Sequence, residues 1–375
     1  MNEDIWKGIE GQSLPKNLLN KLLNTSSIPH AFLFTGIDGI GKDFCALRFA
    51  QALVIRSNLP NKSTIIHQIE NLSEPYYKYI IPLPRGKNET DDSGPVEKFS
   101  TEEIQLLRDE LQKKINNPYY KIRIPKANQI KISSIRDIKK FVSLSYEDIP
   151  CRVIVISDAH LMNEEAQNAL LKNLEEPPEG VVFILTTPYP GLLRETIRSR
   201  CWKINFHPLT DEEIKSVLIN YFEVETETAA LIAPFAMGSV TRALDLLEHD
   251  FNIILEKTIY VLRYSFAGRY HSALNEILPF IKEGETDSLK LLIQLIIIWL
   301  NDFQKIKSGF TSGLFYTKHQ ETLEKFYSKF QNIELNETVK NLERLNSLIA
   351  NNVNLNLLAL NLTYELSALI STRGK

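Results

Sequence analysis

With 375 residues, 43% hydrophobic and 24% charged, the chain has the make-up of a folded globular protein of two or three domains. A net charge of −3 excludes a broad basic surface for nonspecific grip on a phosphate backbone. Three widely spaced cysteines, Cys45, Cys151 and Cys201, argue against a disulfide framework or a cysteine-rich zinc site. No apolar run follows the acidic N-terminus, and the apolar stretch 289–300 is interrupted by Lys290 and Gln294, so no secretory signal or membrane span is expected and the cytosol is the expected compartment.

The first predicted strand is the apolar run Ala31–Thr35, which leads directly into Gly36, Ile37, Asp38, Gly39, Ile40, Gly41, Lys42 and Asp43. Helical spacing resumes at Phe44, Leu47, Phe49, Ala50 and Leu53. That is a phosphate-binding loop in its proper strand–loop–helix context, complete except at its last position, where a Ser or Thr hydroxyl normally holds Mg²⁺. From 58 to 130 the pattern degrades: prolines recur at 60, 75, 82, 84, 95, 118 and 125, with one helix predicted over 101–115 from Ile104, Leu107 and Leu111. This stretch reads as an insertion into a sheet domain. Further strands are predicted at 153–157, 181–186 and 202–206, with a helix between the first two that Pro177 and Pro178 end. Beyond Pro208 the pattern is helical to the end: short helices at 211–221, 227–235 and 239–247, then amphipathic stretches at 251–267, 270–282, 286–307, 318–330, 334–350 and 354–371.

Lys42 is the residue type that touches phosphates, but Asp43 places a negative charge beside them. Two unit charges about 4 Å apart repel by about 4 kcal/mol at an effective dielectric near 20. The strand ending in Ser157, Asp158, Ala159 and His160 offers one acidic residue where metal binding and general-base work need two. Alternation along a strand keeps Asp158 from serving both. Nucleotide binding is therefore expected to be weak or absent and hydrolysis is not expected.

The segments NALLKNLEEPP at 168–178, VVFILTT at 181–187 and SRC at 199–201 resemble the clamp-loader branch of the AAA+ ATPases. WKGIEGQ at 6–12, HAFLFTG at 30–36 and GSVTRALDLL at 238–247 fit the same family. Within it the chain is most similar to the δ′ subunits of bacterial DNA polymerase III. The resemblance implies an α/β AAA+ P-loop domain with a parallel sheet over 1–207, with 58–130 inserted. A small helical lid over 208–250 and an all-α collar for oligomerisation over 251–375 follow. It places the family's Mg²⁺-binding Asp at Ser157 and its catalytic Glu at Asp158, Thr186 and Thr187 at the sensor-1 turn, and the sensor-2 arginine at Arg242. Arg200 falls on the arginine finger offered to a neighbouring subunit. Gly36, Gly39, Gly41, Lys42 and Asp43 complete a degenerate nucleotide site, with no metal and no cofactor required. The implied partners are γ/τ and δ subunits, with the β sliding clamp and primer-template DNA reached through the complex, and no membrane.

Plainer readings stand beside these. Asp43 is also a residue favoured in the first turn of a helix, Ser157 and Asp158 also suit the end of a strand, and Arg242 could lie over apolar surface. His30 and His160 read as structural. Two other functions remain open: an ATP-hydrolysing γ/τ-like subunit, and a P-loop adaptor outside replication.

Overall fold

The computed structural model describes residues 5–57, 61–73, 75–90, 93–143, 152–248, 251–281, 286–331, 333–349 and 353–371. They fall into two compact units, one ending at Ala243 and the other beginning at Leu244.

The first unit begins with helix α1 (Ser13–Leu23) and strand β1 (Ala31–Thr35), followed by α2 (Lys42–Arg56), α3 (Lys62–Glu70) and β2 (Tyr77–Ile80). Then come α4 (Thr101–Asn116), α5 (Ile132–Ser143), β3 (Arg152–Ile156), α6 (Glu164–Glu175), β4 (Val181–Thr187), α7 (Glu195–Arg198) and β5 (Trp202–Asn205). The strands form one sheet in the order β2-β3-β4-β1-β5, every pairing parallel. Strand β2 corrects the sequence reading of 58–130, since part of that stretch is an edge of the sheet itself. It is only four residues long, it follows Pro75 closely, and it mixes Lys78 with aromatics, so it carries no apolar run to find.

β1, β3 and β4 are apolar on both faces because helices cover both. Alternation sends Leu33, Ile154, Ile156, Phe183 and Leu185 into a core with Ile135, Ile138, Phe141 and Leu170. On the opposite face Phe32 meets Phe49 and Phe34 meets Phe206, with centroids 5.3 and 5.1 Å apart. Register aligns Thr35 with Thr187 and Ile156 with Leu185, so β1 and β4 end together, β3 ends two residues earlier, and Ser157 just past it comes to the level of Thr186. Any chemistry carried by the residues just past these ends is therefore gathered at one edge.

Three helices complete this unit: α8 (Asp211–Phe222), α9 (Thr226–Ile232) and α10 (Val240–Glu248), the last running across its boundary. Thr210 and Glu213 cap the start of α8 reciprocally, each accepting from the other's backbone N–H.

The second unit is built from α11 (Phe251–Phe266), α12 (Tyr270–Ile277), α13 (Thr286–Lys307), α14 (Gln320–Lys329), α15 (Asn336–Leu348) and α16 (Leu355–Ser371). The apolar stretch at 289–300 lies in α13, which buries Leu289, Leu292, Ile293, Ile296, Trp299, Leu300 and Phe303 at helical spacing. Phe326 of α14 packs against Trp299 and Phe303 at 4.9 and 5.0 Å. Among the described residues no single helix is long and apolar enough to cross a membrane.

Candidate functional site

The loop after β1 turns on three glycines with positive φ: Gly36 (145°), Gly39 (70°) and Gly41 (84°). The Val240 N–H donates to the Gly39 carbonyl at 3.1 Å, so the start of α10 rests directly on the loop. Lys42, first residue of α2, turns inward. Its Nζ donates to the carbonyls of Gly36 at 2.7 Å and Ile37 at 2.5 Å. Burial pulls its pKa below the usual lysine range, against the opposing pull of Asp38 and Asp43.

Asp43 is the centre of the site. Its Oδ2 accepts from the hydroxyls of Ser157 at 2.6 Å and Tyr79 at 2.8 Å, and its Oδ1 from the hydroxyl of Thr186 at 2.7 Å. These donors stand on β2, on β4 and just past β3, so one carboxylate ties α2 to three strand ends. Burial alone would raise its pKa, but nearby Lys114 and the three hydroxyl donors outweigh it and hold the carboxyl below its ordinary value.

Opposite the loop stands the chain that leaves α4. Asp38, Lys42 and Asp43, together with Ser157, Asp158 and Thr186, share a cavity of about 360 Å³ with Lys114, Tyr119 and Lys121. Lys121 donates to Asp38 at 2.8 Å and lies 3.5 Å from Asp158. Burial works against the charge on Lys121, but Asp158 and Asp38 raise its pKa above the ordinary lysine value. Asp158 sits in the left-handed region (φ 51°), and burial raises its pKa, with Lys121 opposing. His160 borders the same cavity and packs edge-on against Tyr189 at 5.1 Å.

The fold thus brings Gly39, Gly41, Lys42, Asp43, Ser157, Asp158 and Thr186 together. Gly36 contributes a carbonyl to Lys42. Thr187 is fully buried and points elsewhere, its Oγ1 accepting from the Tyr189 N–H at 3.0 Å. At the start of α10 it is Thr241, beside Arg242, that lines the cavity; Arg242 is half-buried, and its N–H donates to Ser239 Oγ at 3.2 Å. Arg200 stands apart from the cavity in the turn before β5. Its guanidinium reaches the Thr196 carbonyl at 2.8 Å and pairs with Glu175 at 2.8 Å. Sequence reasoning missed Tyr79, Lys114, Tyr119 and Lys121. For the last three the one signal is the concentration of Lys and Tyr between 114 and 121, and Tyr79 has none.

The side chains that would face a magnesium nucleotide here are engaged with the protein itself. The lysine that should meet phosphate is spent on loop carbonyls. The position that should offer a hydroxyl offers a carboxylate, already accepting three hydrogen bonds. Among the described residues no group of three or more His, Cys, Asp or Glu side chains is arranged to hold a metal.

The family model described as DNA polymerase III, delta subunit, matches residues 11–210, and the model for the C-terminal part of the same family matches 264–367. The gamma subunit of DNA polymerase III from Buchnera aphidicola (strain Sg) is 26% identical over 305 residues, 78% of this chain and 71% of that one. The tau subunit of Bacillus subtilis is 28% identical over 249 residues, 65% of this chain but 37% of its own length. The delta' subunit of the same organism is 29% identical over 205 residues, 54% of this chain and 61% of that one. A gamma subunit-related protein of Thermotoga maritima aligns over 94% of this chain and 98% of its own, at 17% identity and a TM-score of 0.38. With the family model covering more than half of its length, the chain belongs to the DNA polymerase III, delta subunit family of AAA+ clamp-loader proteins.

Proposed function

We propose that this chain is a non-hydrolysing, δ′-type subunit of the bacterial clamp loader. It works in the cytoplasm beside γ/τ and δ subunits, without a cofactor of its own, and helps place the β sliding clamp on primed DNA. The observation that carries this reading is the state of Asp43. Its carboxylate accepts hydroxyls from Ser157, Thr186 and Tyr79, so the place where a metal and a phosphate would be engaged is already satisfied by the protein. The alternative, a hydrolysing γ/τ-like subunit, needs a hydroxyl at 43 and a carboxylate at 157.

In this reading the catalytic contribution lies at a neighbour's nucleotide, through Arg200. Arginine suits the task because its charge is permanent and its planar fork matches phosphate oxygens. The pairing with Glu175 is partly exposed, with 35% of the Arg200 side chain accessible, so an incoming phosphate can compete for the guanidinium.

The test is ATP turnover by the purified chain and by a complex reconstituted with γ/τ and δ. The chain alone should be silent. The complex carrying Arg200→Ala should assemble normally and lose clamp-stimulated ATPase by at least about tenfold, as removal of a trans-acting finger does. Turnover by the isolated chain that Lys42→Ala abolishes would establish the hydrolysing alternative instead.

A further inference from the structure

We propose that the segment 117–124 is an intramolecular occupant of the cleft over the glycine loop, a strap that keeps nucleotide out. The proposal rests on the non-hydrolysing reading and gives it a second, independent cause. The strap is held on every side. Lys114 Nζ donates to the carbonyls of Pro118 and Tyr120 at 2.7 and 2.8 Å. Glu110, only 4% exposed, accepts from the Tyr120 hydroxyl at 2.8 Å and the Arg123 N–H at 2.9 Å. Asn117 Nδ2 donates to the Tyr221 carbonyl on α8 at 2.6 Å.

Within it Tyr119 packs between the loop, its helix and α8. Its ring lies edge-on to Phe44 of α2 at 5.5 Å and to Tyr221 at 5.0 Å. Its hydroxyl accepts from the Glu10 N–H at 2.8 Å. A Cβ built on Gly41 would lie 3.3 Å from the Tyr119 ring, so the tyrosine rests directly against that glycine of the loop. Charged groups of the strap also engage those of the loop: Lys121 pairs with Asp38 and approaches Asp158, inside a cavity that Lys42, Lys114 and Arg123 line as well. Polar and ionic groups this well matched resist exchange, because an incoming ligand must first leave them unpaired.

The test uses the full chain with a fluorescent ATP analogue in the presence of Mg²⁺, comparing wild type with Tyr119→Ala, Lys121→Ala and the double variant. The double variant should bind the analogue at least about tenfold more tightly than wild type. A folded double variant, checked by circular dichroism, that binds no better than wild type overturns the strap and leaves the non-hydrolysing reading intact. ATP turnover by wild type overturns that reading instead. Should the double variant fail to fold, Lys121→Ala decides alone, since this partly exposed lysine can be trimmed without touching the Tyr119 packing. At least about threefold tighter binding supports the strap, and unchanged binding overturns it.

Discussion

The Ser157 hydroxyl donates to the Asp43 carboxylate across 2.6 Å, and in the proposed reading this pair carries the two functional groups of the family's metal site in exchanged positions. The family pattern places a hydroxyl on the loop helix and a carboxylate at the end of the third strand. Here the carboxylate stands on the helix and the hydroxyl past the strand. The exchange keeps the hydrogen bond that joins the two elements, yet moves the negative charge to the side where phosphates would lie.

That relationship predicts strong coupling. Asp43→Ser alone removes the charged acceptor of three hydroxyls, and Ser157→Asp alone sets two carboxylates against each other. Hydrogen bonds to a charged group contribute about 1.5–3 kcal/mol each, but those sharing one carboxylate are not additive, so each single variant should lose about 2–4 kcal/mol. The double variant Asp43→Ser with Ser157→Asp restores one donor and one acceptor. Its loss should fall short of the sum of the singles by at least about 1 kcal/mol. Urea unfolding of the four proteins gives the cycle, and strict additivity would refute the exchange.

The same carboxylate sets a pH dependence. Asp43 has its folded pKa held below the ordinary value by Lys114 and its hydroxyl donors, which together overcome burial. A depressed carboxyl pKa stabilises the folded state above the unfolded value, near about 3.9, and this contribution fades as pH falls through the lower folded value. The penalty of Asp43→Asn should therefore be constant between about pH 5 and 7 and shrink below about pH 4. Asp158 has the opposite sign: burial raises its pKa, so its contribution is present in acid and lost as pH rises. Asp158→Asn should gain stability relative to wild type as pH climbs from about 3 to 7. Denaturant midpoints across that range separate the two.

Much of this site is legible in the amino-acid sequence. β1, β3 and β4 are buried on both faces, and such strands announce themselves as unbroken apolar runs. Local spacing places Gly39, Gly41, Lys42 and Asp43, and the strand that precedes Ser157 places that residue. Tyr79 and Lys121 have no such signal. Tyr79 meets Asp43 from a short edge strand 36 residues away, and Lys121 meets Asp38 across 83. Neither belongs to a periodic face. α4 shows why: its buried residue is Glu110, a charged group that is kept inside by organising the strap rather than by apolar burial. Hydrophobic patterning has no way to register such a segment.

Glu175 offers a test of Arg200 that leaves the fold alone. Both partners are substantially exposed, at 35% and 50%, and exposed pairs contribute about 0–1 kcal/mol. Glu175→Ala should leave the unfolding midpoint nearly unchanged. In the reconstituted complex it should change ATPase by less than Arg200→Ala does, because the arginine survives and only its tether is lost. Equal effects from the two variants would mean that the pair matters only as a local prop.

The contact between Gly39 and α10 gives the last prediction. Gly39 has φ 70°, and a Cβ built there would lie 2.3 Å from the Thr241 nitrogen and 2.7 Å from its Oγ1. The Thr241 nitrogen belongs to the backbone at the start of a helix, as does the Val240 nitrogen 2.9 Å from that Cβ, so neither can move without shifting the helix. A residue with a side chain in the left-handed region costs about 1–3 kcal/mol before any clash. Gly39→Ala should therefore lose at least about 2 kcal/mol, and hydrogen exchange at Val240 should accelerate as its bond to the Gly39 carbonyl breaks. A Gly39→Ala protein of normal stability, with Val240 still protected, would overturn this prediction.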